Sequence, residues 1–471
     1  MRRIAAFVFA TLCFSSASSS AEDTLTTDRW LRHMNDELLP FWSHPDAFGD
    51  PVGLFPTSRC NDGALPAVGP ECPDGKSSVS NRTYMFPLSR QVFAYGAAFH
   101  LTGDKRYLDL AQAGLKVLLG PAAIPGGGHH DYYVKDADAW GPGDGSLNIQ
   151  KQLYIMLGPA FLYYLTRDPE LFSEIEAMRL NVIDKYFDAE TGAYHYRRND
   201  RKTKPKDFRF LVAGLDQLNT FYALLAPYAP PDAAESWRSE MRLIAKDIEN
   251  RFYNEAGDVY EVILSGEDQP AVAPDIQFGH SAKAAWLLAA TGAFLGDDAM
   301  VERAVKKGER LLVRSFSPET GAWRPGEGDD KSVLTSFSFV AQSQLAHALA
   351  ISDQSVRKML IDANAFWFDK FVDHEHGGTF GELTLQGEDF DGAKPKHWRW
   401  KSGFHTFDLA LFGYLASAGI SGAKAELYYG FGDTPPETPP HPYQFGGDVV
   451  SAEPLDNGVW IYRFENIRFP R

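Results

Sequence analysis

The sequence predicts an all-α protein built as an (α/α)6 barrel, a ring of six helical hairpins, followed by a short β-like C-terminal extension. Two observations predict this fold. First, a helical stretch, a polar turn with glycine and a short aromatic segment follow one another and recur roughly every 60 residues. Second, the stretches between the turns have the length of two helices, whose apolar stripes can be buried only against neighbouring hairpins. Repeated hairpins of this kind close into a ring with an inner and an outer layer.

The recurring turn is marked by its glycines. A weak copy contains Gly53, and five clearer copies follow, at Gly127, Gly192, Gly257, Gly321 and Gly377. Because each turn joins one hairpin to the next, we expect all of them at the same end of the ring.

Helices are predicted on both sides of these turns. They cover residues 30–42, 90–100, 107–119, 153–165, 171–186, 211–225, 237–252, 282–295, 299–315 and 404–417. A Pro-rich piece at 434–440 and a β-like segment at 459–462 come after the last helix, in a stretch too short for its own core. The expected division is a signal peptide at 1–21, the barrel at 22–423 and the extension, a flap or small sheet, at 424–471.

The N-terminus has the order of a secretory signal peptide. Arg2 and Arg3 precede an apolar run at 4–14, and small residues then lead to Ala21. The run is too short to span a bilayer, which takes roughly 20 residues. We therefore expect cleavage after Ala21 and a secreted or periplasmic protein with no membrane span.

Two cysteines remain after such cleavage, Cys60 and Cys72. In an oxidising compartment, two thiols this close in sequence indicate a disulfide that closes a local loop.

Charge excludes some partners. The chain has 62 acidic and 46 basic residues and a net charge of −16. Nucleic acids and anionic membranes would be repelled, whereas neutral sugars would not. The sequence leaves the oligomeric state open.

Four phrases on predicted inner helices point to a family. They are residues 89–95, 151–154, 278–288 and 400–406, in that order and at the spacing of the repeat. Together they resemble the N-acylglucosamine 2-epimerase family, which includes cellobiose 2-epimerases and mannose isomerases. The resemblance covers 30–418 and implies a mono- or oligosaccharide substrate in one central pocket.

The resemblance also implies the chemistry. In the family, histidines on inner helices remove and return the proton at sugar C2 through an enediolate, and an arginine stabilises the negative charge. By motif match these catalytic roles fall on His280, His405 and Arg90. Imidazole titrates near neutrality and can both accept and donate a proton, and a guanidinium can stabilise an oxyanion. No metal or other cofactor is implied.

Several positions depart from the family pattern. Lys283 replaces a glutamate one helical turn after His280, Asp216 and Asn219 replace a histidine and a glutamate, and Gln344 replaces another glutamate. Since Lys283 faces the same way as His280, its charge would disfavour imidazolium there or bind an acidic sugar. Expected substrate-binding residues are Lys283, Asp216, Asn219, Gln344, Tyr154, Trp398 and Trp400, the tryptophans serving as a stacking platform.

Two other functions remain open on the sequence. The same barrel shape serves glycoside hydrolases and polysaccharide lyases, and a hydrolase needs paired carboxylates. The acidic residues that could supply them are Asp136, Asp138, Asp144, Asp216 and Asp275. A non-catalytic sugar-binding barrel would fit the altered positions. The motifs at 129–131 and 374–376 resemble metal ligands, but each lacks a third placed ligand.

Overall fold

In the computed structural model, residues 21–66, 72, 81–143, 147–198, 209–264, 277–327 and 332–470 are described. The predicted helical repeat is present throughout these ranges. The main helices are α1 (27–42), α2 (Met85–Thr102), α3 (Lys105–Leu119), α4 (Ile149–Thr166), α5 (Pro169–Tyr186), α6 (212–225), α7 (231–252), α8 (Phe278–Leu295), α9 (Asp298–Ser315), α10 (Ser336–Ala350), α11 (354–371) and α12 (Phe404–Ser421). Helices α1, α6, α7 and α11 each contain a π-helical turn, at His33–Leu38, Leu218–Tyr222, Ile248–Phe252 and Trp367–Phe371.

The even-numbered helices form the inner layer. Each packs against the next even-numbered helix, and α12 packs against α2, so the ring is closed. The inner helices are buried almost all round, whereas outer helices such as α9 bury one stripe and expose the opposite face. This difference is the one expected between a helix enclosed on all sides and one at the surface. The predicted (α/α)6 barrel is confirmed.

Short connections lead from the inner to the outer helices. Gly103 and Gly296 end their inner helices in the left-handed conformation. The side chains of Asp104, Asp168 and Asp297 then accept hydrogen bonds from backbone N–H groups in the first turn of the next helix. A left-handed residue satisfies the free carbonyl groups of one helix, and an aspartate caps the free N–H groups of the next.

Longer connections lead back from the outer to the inner helices and contain the repeated glycine turns. Four of them form short antiparallel pairs, namely Ala123–Ile124 with Gly128–His129, Phe187–Asp188 with Ala193–Tyr194, Tyr253–Asn254 with Val259–Tyr260, and Phe316–Ser317 with Ala322–Trp323. In the third pair the left-handed residue is Asp258 rather than Gly257. The weak copy at Gly53 forms no strand pair.

Other strands lie in the same connections. They are Arg82–Tyr84 with Tyr132–Val134 and Ala139–Trp140, Arg209–Phe210 with Ile263–Leu264, and Val333–Thr335 with Glu382–Thr384. All precede an inner helix, so these connections surround the N-terminal ends of the inner helices.

The C-terminal segment, 424–470, lies at the opposite end of the barrel. Its strands Ala425–Tyr429, Gly446–Pro454 and Trp460–Arg468 form an antiparallel sheet in which the last strand is central. The first strand packs on α2, and the last packs on α12. The sheet is thereby anchored to the barrel core.

Cys60 and Cys72 form the predicted disulfide. It closes a local loop in the connection between α1 and α2. Within the described ranges, no helix combines the length and the apolar character needed to cross a membrane.

Two glycines of the repeated turn should respond differently to alanine. Both have positive φ, +82° at Gly127 and +63° at Gly192. A methyl group on Gly127 would lie 2.4 Å from the carbonyl oxygen of Ala177, whereas one on Gly192 would meet nothing within 4 Å. We expect Gly192→Ala to lower the free energy of unfolding by about 1 kcal/mol and Gly127→Ala by a further ~1–3 kcal/mol, as measured by urea denaturation. Equal losses would contradict this steric account.

Candidate functional site

Polar side chains collect inside the barrel near the N-terminal ends of the inner helices. Since all six N-termini point toward this end, their partial positive charges favour an anion there. The sequence-predicted residues that the inner helices contribute are Arg90, Tyr154, Asp216, Asn219, His280, Lys283, Gln344 and His405.

Arg90 is a buried cation held by an aromatic ring and a carbonyl group. Its guanidinium carbon lies 3.7 Å from the centre of the Tyr154 ring, and Nη1 donates a hydrogen bond to the Trp400 carbonyl oxygen at 3.1 Å. Its Nε is buried without a hydrogen-bond partner among the described residues. The arginine is thus fixed in position while one donor stays available.

Asp216 and Lys283 form an ion pair between α6 and α8. The Lys283 Nζ lies 2.6 Å from Asp216 Oδ1, and both side chains are almost fully buried. Gln150 and Tyr154 also donate to this carboxylate, at 3.1 and 3.4 Å. Burial is the largest single effect and lowers the pKa of Lys283, but the charge of Asp216, Tyr154 and the hydrogen bond to Asp216 together outweigh it and raise that pKa. Lys283 is therefore charged at neutral pH.

The two predicted catalytic histidines pack on the same phenylalanine ring. Phe337 has its ring centre 4.7 Å from that of His280 and 5.1 Å from that of His405. His280 is further oriented by Gln277, whose Oε1 lies 2.8 Å from Nδ1. The histidines come from α8 and α12. Their shared contact with Phe337 shows that these two distant parts of the sequence meet at one place.

His405 is uncharged at neutral pH. Burial lowers its pKa well below the usual value, and the nearby cations Arg90, Lys283 and Lys401 lower it further. None of the hydrogen bonds among the described residues involves its ring nitrogens. A neutral imidazole of this kind can accept a proton.

Asp408 is a second buried carboxyl group of the site, one helical turn after His405. Gln344 donates to its Oδ2 at 2.7 Å, and Tyr443 donates to its Oδ1 at 2.8 Å. Burial raises the pKa of Asp408 to about 6, although both hydrogen bonds and Lys283 act in the opposite direction. Its charge state therefore changes close to physiological pH.

Lys401 is a buried lysine that neighbours the site. Its Nζ donates to the carbonyl and hydroxyl oxygens of Thr379, at 3.3 and 3.2 Å. Burial lowers the pKa of Lys401 to about 7, and Lys396 contributes in the same direction.

The remaining predicted substrate-binding residues are Asn219 and the two tryptophans. Asn219 is buried on α6, and its amide nitrogen has no hydrogen-bond partner among the described residues. Trp400 and Trp398 are half-buried, and the Trp400 ring packs on Phe86 with centres 4.8 Å apart. Their loop folds back on itself, with Trp398 bridged to Lys401, and the role of the two tryptophans as a stacking platform stays a prediction.

The acidic residues considered for hydrolysis do not gather at the site in the described part of the chain. Asp136 and Asp138 are exposed on an outer loop, Asp144 and Asp275 lie outside the described residues, and Asp216 is bound to Lys283. Where the chain is described, no three His, Cys, Asp or Glu side chains are placed to hold a metal ion.

Sequence reasoning missed Phe337, Asp408 and Tyr443. A usable signal existed for Asp408, because it follows His405 by three residues and two such positions on a helix share a face. Tyr443 belongs to the C-terminal segment, and no local pattern indicates that this segment reaches the barrel interior.

Known proteins resemble the chain in sequence and in fold. The sequence model of the N-acylglucosamine 2-epimerase (GlcNAc 2-epimerase) family matches residues 73–406. A cellobiose 2-epimerase from Spirochaeta thermophila is 17% identical, with a TM-score of 0.68 over 86% of this chain and 100% of that one. A D-mannose isomerase is 15% identical, with a TM-score of 0.65 over 83% and 98%.

An alpha-1,6-mannanase from a Salegentibacter species is more distant, at 12% identity and a TM-score of 0.54 over 85% and 100% of the two chains. No curated protein matches the chain in sequence. At these identities, the likeness to solved structures establishes the fold alone.

Removing one member of the buried ion pair should be costly. We expect Lys283→Met to lower the free energy of unfolding at pH 7 by about 3–5 kcal/mol, because the buried carboxylate of Asp216 loses its counter-charge. The double variant Lys283→Met/Asp216→Leu should recover most of this loss in urea denaturation.

The pH dependence gives a further check on the pair. Because the pKa of Lys283 is raised above 10.5 in the folded protein, the pair stabilises fully below that pH and less as pH rises through the raised pKa. The difference in the free energy of unfolding between wild type and Lys283→Met should therefore narrow as the pH rises into alkaline solution. A gap under about 1 kcal/mol at pH 7 would contradict this account.

Proposed function

The chain belongs to the N-acylglucosamine 2-epimerase family, and we propose that it is a carbohydrate 2-epimerase or aldose-ketose isomerase. The observation that carries this proposal is that two imidazoles, those of His280 and His405, pack on the ring of Phe337. Two acid/base groups from two helices suit a reaction in which a proton leaves one carbon and a proton returns.

In the proposed reaction, the open-chain sugar binds with its C1 carbonyl beside Arg90. One neutral histidine removes the proton from C2, and the C–H electron pair forms the C1–C2 double bond while the carbonyl π electrons move to oxygen. The enediolate then accepts a proton from the other histidine. If the proton is returned to the opposite face of C2, the result is epimerisation. If it is returned to C1, and a proton moves from the C2 oxygen to the C1 oxygen, the result is isomerisation.

Arg90 is suited to stabilise the enediolate oxygen. Its guanidinium is fixed on the Tyr154 ring, and its buried Nε is free of partners among the described residues. A donor fixed before the reaction stabilises developing charge without reorganising. The N-termini of the inner helices add to the same positive potential.

Glycoside hydrolysis is the second candidate, favoured by the shared fold of the mannanase. It would need one carboxylic acid and one carboxylate at a suitable separation. Asp408 has a raised pKa near 6, as a general acid needs. Its two oxygens, however, already accept hydrogen bonds from Gln344 and Tyr443, which makes epimerisation the better-supported function.

Exchange with solvent tests the proposal. The protein is incubated in heavy water with mannose, glucose, N-acetylglucosamine, cellobiose and a hexuronate, and C2 is followed by proton NMR. We expect deuterium at C2 of at least one sugar, together with its epimer or ketose. His280→Ala and His405→Ala should each lower the exchange rate at least ~100-fold, the typical contribution of a positioned acid or base.

His374→Ala serves as the matched control, because His374 is exposed on a loop, and its exchange rate should equal that of the wild type. Full activity in either site variant contradicts the assigned roles. Shortened oligosaccharides without C2 exchange would indicate a hydrolase or lyase, and sugar binding without turnover would indicate a binding protein.

We also infer that the protein is exported. The disulfide between Cys60 and Cys72 supports this, because such bonds persist in oxidising compartments. The predicted signal peptide supports it too, although residues 1–20 lie outside the described part. In a bacterial host expressing the full chain, we expect the periplasmic or secreted protein to begin at Glu22 and to contain no free thiol, as measured by intact mass and thiol labelling. A retained N-terminus with three free thiols, Cys13 among them, would contradict export.

A further inference from the structure

The C-terminal segment enters the barrel from the end opposite the predicted catalytic residues. Tyr443 is buried, and its ring packs against Phe93, Phe161 and Phe412, which belong to three inner helices. His441 stacks on Tyr228 with ring centres 4.9 Å apart. The family match ends at residue 406, so this insertion comes from outside the matched region.

The backbone at Tyr443 is held in an unfavourable conformation. Its φ is +53°, in the left-handed region that costs a residue with a side chain about 1–2 kcal/mol. Its N–H donates to the Tyr164 hydroxyl at 2.9 Å, and that hydroxyl donates to the His441 carbonyl oxygen at 2.7 Å. Strained residues of this kind persist where the surroundings fix them, and they concentrate at functional sites.

The conformation directs the Tyr443 hydroxyl to Asp408. The two oxygen atoms lie 2.8 Å apart, and Gln344 from α10 binds the other carboxyl oxygen. The titratable groups that act on Asp408 are Tyr443 from the C-terminal segment and Lys283 on α8, and His405 lies one turn earlier on its own helix. Lys283 also acts on His405, so the carboxyl group connects the C-terminal segment to the charged groups around the proposed acid/base pair.

We propose that Tyr443 is a positioning residue of the active site, and that the C-terminal segment supplies it to hold Asp408 as a carboxylate beside His405 and Lys283. The inference rests on the proposed function. When His405 takes a proton from the sugar, a carboxylate one helical turn away stabilises the resulting imidazolium. A protonated Asp408 would not, so catalysis should require the ionised form.

The hydroxyl of Tyr443 favours the ionised form by donating to it. Without this bond the pKa of Asp408, about 6 in the intact protein, rises further, because the bond is one of the effects that lower it. Tyr443→Phe keeps the ring and its packing and removes the bond. Tyr414→Phe is the matched control, since its buried hydroxyl, between α12 and the first strand of the segment, bonds the backbone of Glu426 and not the site.

The experiment is the pH profile of C2 exchange, from pH 5 to 9, for wild type, Tyr443→Phe and Tyr414→Phe. We expect the acid limb of kcat for Tyr443→Phe to move up by about one pH unit, giving a ~5-fold loss near pH 6, approaching ~10-fold near pH 5, and a loss under ~3-fold at pH 8.5. Tyr414→Phe should keep the wild-type profile. In the Asp408→Asn background, Tyr443→Phe should cause no further shift.

A loss of kcat that is the same at every pH, or the same loss in both tyrosine variants, overturns the proposal. Tyr443 would then have a structural role alone. Failure of the proposed function is recognised separately, by the absence of C2 exchange in the wild type with every sugar tested. In that case the inference is tested by measuring the pKa of Asp408 from its carboxyl carbon, by NMR of protein made with labelled aspartate. The signal of Asp408 is assigned as the one that is missing in Asp408→Asn. The pKa of Asp408 should rise in Tyr443→Phe and not in Tyr414→Phe, and an unchanged pKa in Tyr443→Phe overturns the proposal.

Discussion

The burial of polar groups along the barrel axis is the constraint on which the rest of the structure depends. A charged or hydrogen-bonding side chain there is stable only if a partner comes from a neighbouring element. Arg90 is held by Tyr154, Asp216 pairs with Lys283, and Gln344 binds Asp408. These contacts connect α2 to α4, α6 to α8 and α10 to α12, so they fix the relative positions of the inner helices. The same contacts define the pocket.

The repeat made most of the fold predictable. Its glycine turns and apolar helices were sufficient for the ring, because each hairpin needs neighbours to bury its stripe. Three inner helices were predicted to begin four or five residues too late, for example at Arg90 where α2 begins at Met85. Helices that are buried all round lack the alternation of polar and apolar residues that marks an end. Motif matching proposed Arg90, His280 and His405 together. It could not indicate that Lys283 would pair with Asp216, since that contact depends on how two hairpins pack.

The C-terminal segment was the least predictable part. A short β-like sheet was expected from its aromatic residues, and the structure contains one. The insertion of Tyr443 into the barrel depends on a left-handed residue and on rings from three inner helices. Contacts between residues so distant in sequence leave no periodic signal. The charge of Asp408 therefore depends on a residue that lies outside the region matched by the family.

The C-terminal segment fills one end of the barrel, where Tyr443 and Phe445 are buried and the sheet packs on α2 and α12. The barrel core is therefore completed by residues that follow the last inner helix in sequence. A chain cut after α12 would leave Phe93, Phe161 and Phe412 without the ring that packs on them, so the segment is part of the folding unit and not an appendage.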